Sequence, residues 1–347
     1  MSVHEAVVID GAHGEGGGQI IRTTLSLAMI TGRPCRLVNV RANRSRPGLR
    51  PQHLTAVQAS ASVCNARVIG ARLGSHEFSF TPGPLQAKAY KFDIGTAGAA
   101  TLVLQTLLPA LSRAGGESIL SLTGGTHVPW SPPFHYLDQV FLPTIAKLGF
   151  KCTATLKRWG WYPKGGGEIA AVIRTAGSPA AVSLDQPFVL ERLSGISASS
   201  RLPEQVRVRQ RLRIQSLLQG VGTDADIPLL DVSALSPGSF VFLCAYGKES
   251  VAGFSSLGVR GKPAERVADD TAEALFHFMD SGSAVDPFLA DQILIYLAML
   301  PGRQEITTSA ISKHLLTNAW VVEQFLPVRF MVTGDLDRPG LVVKGDR

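Results

Sequence analysis

The sequence is poor in cysteine. Only four occur in 347 residues, Cys35, Cys64, Cys152 and Cys244, and their wide spacing excludes a CxxC metal knuckle and a dense disulfide framework. A reduced, cytoplasmic chain fits that usage. Long apolar runs are missing too: the start, MSVHEAVVIDGAHGEGGG, has no basic stretch followed by an apolar core, and nothing downstream approaches an uninterrupted membrane span. A secreted or membrane-bound protein is therefore not expected. Acidic residues are outnumbered, 27 Asp and Glu against 34 Lys and Arg, for a formal net charge of +7 and a pI of about 9.4. A phosphate-rich partner fits that balance. Disorder is excluded in turn, since 45% hydrophobic and 18% charged residues describe a folded chain, long enough for two domains or one domain with an insertion.

The common nucleotide motifs are absent as well. The loop GAHGEGGGQ has no GK[ST] ending, and Gln19 stands at the last glycine position of a GxGxxG frame begun at Gly14. A K-x-D-G adenylyl-transfer motif fails because Val8 stands where the lysine would precede Asp10-Gly11. A paired H-x-T phosphodiesterase fails because only His53 begins such a triplet. What remains of the loop is a glycine turn leading into a helix N-terminus. Its backbone N–H groups can meet an anion, and Glu15 beside them can hold a metal ion. A tight turn with a carboxylate at the helix start is the plainer reading of the same residues.

What is present is a recurring order of elements. Strand AVVID, helix GQIIRTTLSLAMITG, strand CRLVNV, helix PQHLTAVQASASVCNA and a strand pair within ARVIGARLGSHEFSFTPG read as β-α-β-α-β-β, with Gly32 stopping the first helix. The order returns in AYKFDIG, TLVLQTLLPALSRAG, SILSLTGG, YLDQVFLPTIAKLG and the strand pair of KCTATLKRWGWYPKGGGEIAAVI. A third round begins near FVLERL, yet its first helix, FLADQILIYLAML, waits until residue 288. Strand EITTSAIS, helix LLTNAWVVEQFL and strands VRFMVTG and GLVVKG finish it. The expected fold class is therefore α/β, helices layered on sheets: three β-α-β-α-β-β repeats form a large domain, 1–186 plus 283–347, and a small α/β domain, 187–282, interrupts the third repeat.

Two arginine clusters and one histidine carry the chemistry. RANRSRPGLR places Arg41, Arg44, Arg46 and Arg50 on a loop kept off a helix by Pro47, Gly48 and Pro51, and guanidinium suits bidentate phosphate recognition. RVRQRLR, with Arg207, Arg209, Arg211 and Arg213, is either an RNA-facing patch or a solvated helix face. His314, in ISKHLLTN, sits where a strand passes into a helix. There the positive end of the helix dipole disfavours imidazolium and attracts phosphate, as a nucleophile attacking phosphorus requires. His13 lies in the glycine loop; His4, His76, His127, His135 and His277 have no evident partners.

The stretches HGEGGGQIIRTTLSLAMITG, RANRSRPGLRPQH, DIGTAGAATLVLQTLLPAL, YPKGGGEI, FLADQILI and KHLLTNAWVVEQFLP together resemble the signature segments of the RNA 3′-terminal phosphate cyclases, over nearly the whole chain. The resemblance implies the three-repeat fold with a small inserted domain. It implies ATP and a divalent metal, magnesium, as cofactors, and an RNA with a 3′-terminal phosphate as partner, with neither membrane nor obligate protein partner. The chemistry it implies is attack of His314 on ATP, transfer of AMP to the RNA 3′-phosphate, and closure of a 2′,3′-cyclic phosphate by the 2′-hydroxyl. Matching motifs place Glu15, Gln105, Pro132, Tyr136, Phe288, Asp291, Gln292 and His314 at the nucleotide, and Glu15 at the metal. Arg22, Arg41, Arg44 and Gln52 fall at the RNA phosphate. Phe288 replaces the tyrosine usual at its position, which keeps a stacking face and loses a hydroxyl. Two rivals stand beside this reading: a cyclase-like RNA-processing factor without catalysis, from which the presence of His314 argues away, and an enolpyruvyl transferase, suggested by the repeated architecture alone.

Overall fold

The computed structural model describes residues 5–177 and 184–346; His4 lies outside them. In the first stretch, strand β1 (Val7–Asp10) alternates buried and exposed side chains, and helix α1 (Gly18–Thr31) buries Ile20, Ile21, Leu25 and Leu27. Gly32 ends that helix in the left-handed region, at φ 69°. Strand β2 (Cys35–Val38) runs parallel to β1. Helix α2 (Pro51–Cys64) opens on Pro51, whose missing N–H would be unpaired there in any case. Strands β3 (Arg67–Ile69) and β4 (Phe78–Thr81) complete a sheet of order β1-β2-β4-β3, parallel in its first pair and antiparallel in the others.

The second stretch builds a sheet of the same order and sense, β5-β6-β8-β7. Strand β5 (Ala89–Asp93) leads to helix α3 (Ala100–Leu111), almost wholly buried, and to strand β6 (Ser118–Gly124). The helix expected over YLDQVFLPTIAKLG begins earlier and is not regular: α4 (Phe134–Tyr136) passes through a π-helical turn, Leu137–Phe141, into α5 (Leu142–Lys147). Pro143 explains the irregularity. It has no N–H for the carbonyl four residues back, and Leu142 N–H donates instead to Leu137 C=O, five back. Strands β7 (Cys152–Arg158) and β8 (Gly167–Ile173) close the sheet.

FVLERL does not start a third sheet of that kind. It enters β9 (Leu190–Ser200), which pairs antiparallel with β11 (Gly238–Gly247). Helix α6 (Glu204–Gln219), strand β10 (Leu229–Asp231), strand β12 (Val251–Leu257) and helix α7 (Ala264–Asp280) complete this unit, of strand order β10-β9-β11-β12. Its hydrophobic cluster has buried members from Leu193 to Phe278, with Ile214, Val241 and Leu275 fully buried and Phe188 and Leu190 packed against it. Helix α8 (Pro287–Met299), strand β13 (Gln304–Thr308), helix α9 (Lys313–Phe325) and strands β14 (Val328–Thr333) and β15 (Gly340–Asp346) follow, with sheet order β13-β15-β14. The parallel neighbour of β13 is reduced to the bridges Leu184↔Ile306 and Val285↔Thr308. The strand expected over EITTSAIS stops at Thr308, leaving a short loop before α9. Helix α1 packs on α2, α3 and α9, and α8 packs on α9.

The arginines of α6 face a neighbouring helix and their own sheet. Arg209 pairs with Glu265 and Arg213 with Asp269, both on α7, while buried Arg207 reaches Asp231 at 3.5 Å and Ser199 Oγ at 3.2 Å. Only Arg207 is buried and so withdrawn from an RNA-facing surface, while Arg209 and Arg213 stay about half exposed within their ion pairs. Acidic residues distant in sequence hold them.

Candidate active site

Ser312 caps α9, its Oγ accepting Leu315 N–H at 3.0 Å, and places His314 in the first helical turn with its side chain 47% exposed. The glycine loop is docked onto the same helix. Glu15 N–H donates to Thr317 Oγ1 at 3.1 Å, and Thr317 in turn donates to Lys313 C=O at 2.7 Å. Gly14, at φ 56°, lies so close that a β-carbon would run into Thr317 Oγ1. This docking sets Glu15 Oε2 3.6 Å from His314 Nδ1, and Arg44 forms an ion pair with Glu15. Burial, with the Arg22 and Arg44 charges adding to it, holds the His314 imidazole below the ordinary value of 6.5. Neutral imidazole is thereby favoured.

His314 lines a cavity of about 770 Å³, together with Arg22, Gln105, Pro132, Tyr136, Phe288, Asp291 and Gln292. Helices α1, α3, α8 and α9 each contribute to its wall. Arg22 is lowered to about 10 by burial, with Asp291 opposing the shift. Burial and the neighbouring Asp286 push the Asp291 carboxyl well up, against the pull of Arg22. Gln105 Nε2 donates to Gln292 Oε1 at 2.5 Å, and Gln292 Nε2 to Phe288 C=O at 2.7 Å. Pro132 C=O accepts Thr101 Oγ1 at 2.8 Å. Tyr136 is buried and its hydroxyl donates to Asp286, so it offers the cavity its ring. Phe288 is 60% exposed and stands edge-on to Tyr136. An apolar face, a buried cation and a half-exposed imidazole in one cavity suit an aromatic, phosphate-bearing ligand.

The other expected residues stand around the cavity rather than in its lining. Glu15 and Arg44 meet His314 from the loop side. Arg41, at φ 54°, turns back on its own loop, donating to Arg46 C=O at 2.7 Å and Gly48 C=O at 3.2 Å. Gln52 Oε1 accepts Ala99 N–H at 2.8 Å at the start of α3. His53, beside Arg22, Arg41 and Arg50, is pushed down to about 3, chiefly by burial.

A family model described as RNA 3′-terminal phosphate cyclase matches residues 13–332. The RNA 3′-terminal phosphate cyclase of Methylococcus capsulatus is 45% identical over 325 residues, covering 91% of this chain and 90% of that protein. That of Pyrococcus furiosus is 42% identical over 336 residues, covering 97% and 98%. This chain belongs to the RNA 3′-terminal phosphate cyclase family. Membership makes it a ligase-type enzyme. Among solved structures, the EPSP synthase of Acinetobacter baumannii covers 99% of this chain and 65% of its own at 13% identity and a TM-score of 0.33, too slight a likeness to bear on activity.

Glu15 Oε2 is buried without a hydrogen-bond partner, as is Gln19 Oε1 on the cavity wall. Among the described residues no group of three or more His, Cys, Asp or Glu side chains converges. One carboxylate oxygen that accepts no hydrogen bond, beside His314 at the edge of the cavity, nevertheless fits magnesium, which keeps several waters and takes one or two carboxylates with substrate phosphates. Several residues that build or support the cavity escaped the sequence reading. Asp286 caps α8 and holds Tyr136, and the Asp-Pro pair before FLADQ was its available signal. Asn318 Oδ1 accepts Thr23 Oγ1 at 2.6 Å and its Nδ2 donates to Asp291 C=O at 2.8 Å, tying α1, α8 and α9 together. Ser255 and Ser256 reach the cavity from β12, a placement with no local signal.

Proposed function

We propose that the chain uses ATP to convert an RNA 3′-terminal phosphate into a 2′,3′-cyclic phosphate through a covalent His314–AMP intermediate. With Nδ1 turned to Glu15, His314 Nε2 is the nitrogen free to attack. It forms a bond to the α-phosphorus as the bond to pyrophosphate breaks. An oxygen of the RNA 3′-phosphate then attacks that phosphorus and the histidine leaves with its electron pair, giving RNA-pp-A. Finally the 2′-hydroxyl attacks the RNA phosphorus, loses its proton and expels AMP. Adenine stacks on Phe288 beside Pro132, within reach of the linked Gln105 and Gln292 amides, while Arg22 faces the phosphates. Arg41, Arg44 and Gln52 take the RNA end. A divalent metal held by Glu15 would supply charge neutralisation at the phosphates.

The observation that carries this reading is the place of His314: in the first turn of a helix, on the wall of a large cavity, where burial and then two nearby guanidiniums favour its neutral ring. The division into a large domain, 1–186 plus 283–347, and an inserted domain, 187–282, belongs to the same proposal and is supported by the separate hydrophobic cluster of the insertion. No helix among the described residues is long and apolar enough to cross a membrane; a cytoplasmic setting is proposed with the rest. The test is incubation with ATP labelled at the α-phosphate. Label should appear on the wild-type chain in an acid-labile, alkali-stable bond, be absent from His314→Ala, and pass to an RNA bearing a 3′-phosphate. AMP mapped to a lysine, or full labelling of His314→Ala, would sink the assignment.

A further inference from the structure

Trp130 is 99% exposed, the highest exposure of any large apolar side chain among the described residues. Its backbone lies at φ 65°, a left-handed conformation that bulky residues rarely adopt. The turn around it is nevertheless firmly held. Ser131 Oγ donates to Val128 C=O at 3.0 Å, Thr101 Oγ1 to Pro132 C=O at 2.8 Å, and Phe134 N–H to Thr126 C=O at 2.9 Å, with prolines at 129, 132 and 133. A rigid turn thus presents a whole indole to solvent, where it adds nothing to the core, at the rim of the cavity that His314 lines. Backbone strain kept for no internal contact points to a ligand.

We infer that Trp130 is a stacking platform for a nucleobase at the 3′ end of the RNA substrate, orienting the terminal phosphate toward His314. This rests on the cyclase reading above. The cavity of about 770 Å³ has room for a nucleotide, but a polynucleotide must leave it across the rim. Single strands are held by flat aromatic faces together with basic and hydroxyl groups along the backbone. The cavity offers that company: Ser255 and Ser256 line it from β12, and Arg22 lines it from α1. Adenine has its own face in Phe288 on α8, so the fully solvent-facing indole is left to the RNA.

The experiment separates the two half-reactions in the full chain. Trp130→Ala should form the His314–AMP adduct at the wild-type rate. It should transfer AMP to a 3′-phosphorylated oligoribonucleotide, below saturation, between about fivefold and about 150-fold more slowly, the worth of one base–aromatic stack. Trp130→Phe should recover most of that loss. On an oligonucleotide whose 3′ end carries stable abasic residues, wild type and Trp130→Ala should transfer equally slowly. Slowed adduct formation in Trp130→Ala would assign the indole to adenine and overturn the proposal, as would unchanged transfer or an equal loss on the abasic substrate. Should wild type form no adduct at all, the cyclase reading falls by itself. Quenching of indole emission by the base-bearing oligonucleotide, absent with the abasic one and lost in Trp130→Phe, then decides the stacking.

Discussion

Asp286 is a buried carboxyl at which three distant stretches of chain meet. Its Oδ1 accepts the N–H groups of Phe288 and Leu289, each at 3.0 Å, and the Tyr136 hydroxyl at 2.8 Å, while Oδ2 accepts Gly253 N–H at 3.3 Å. Burial raises its pKa from 3.8 to about 6 despite those donors. Within that window the native chain binds more protons than the unfolded chain. The contribution of Asp286 to stability is therefore highest below 3.8, falls as pH rises to about 6, and is level beyond. At 1.36 kcal/mol per unit the gap from 3.8 to about 6 amounts to about 3 kcal/mol, of which about 1.4 kcal/mol lies between about pH 5 and about pH 8. Asp286→Asn removes this titration and keeps an oxygen for the helix cap, a position where Asn serves as well as Asp. Urea midpoints measured across that range should show wild type losing about 1.4 kcal/mol more than Asp286→Asn. Asp291 titrates in both proteins and is coupled to Asp286, so the difference between the curves is the quantity to read. Parallel curves would refute the reasoning, because Asp286 would then be ionised throughout. Asp286→Ala leaves the same donors unpaired and should be destabilised at every pH, by more than about 2 kcal/mol.

Adduct formation requires neutral His314, which burial, Arg22 and Arg44 hold below 6.5, so its rate should be sustained at pH 6.5 and decline only below it. Arg44→Ala removes one of those charges and frees Glu15, and should move the decline to higher pH; an unmoved pH profile contradicts the assigned cause. Glu15→Gln should slow metal-dependent adduct formation with an unchanged unfolding temperature. A large drop in that temperature with normal activity per folded molecule would make Glu15 structural. Arg207→Ala should cost about 1 to 3 kcal/mol of stability through its lost buried contacts, read by urea unfolding, without changing RNA affinity. Weaker RNA binding at unchanged stability would return Arg207 to an RNA-facing role.

Much of the architecture is written locally. Helix α1 can be read from Ile20, Leu25 and Leu27 and from the stop at Gly32, and α2 from Pro51, because periodicity and termination depend on neighbours a few residues away. The π-helical turn has a local cause as well, Pro143, but the sequence does not say which carbonyl a displaced N–H will choose. FVLERL has enough apolar character for either of two sheets, and pairing with the far end of β11, as in Leu193↔Ala245 and Leu190↔Gly247, placed it in the inserted unit. The α6 arginines look free until α7 folds beside them with Glu265 and Asp269. For the site, residue types and the family resemblance marked His314, Glu15, the arginines and the FLADQ residues. Only the tertiary structure decided that Arg22, Gln105, Phe288, Asp291, Gln292 and His314 share one wall while Arg41 folds back on its own loop. The sequence by itself determined helix ends, strand patterning and the chemical repertoire, since these follow from short-range propensity and composition. Strand partners, buried charge pairs and the shape of the cavity were settled by long-range packing, whose energy depends on which distant surfaces exclude water together.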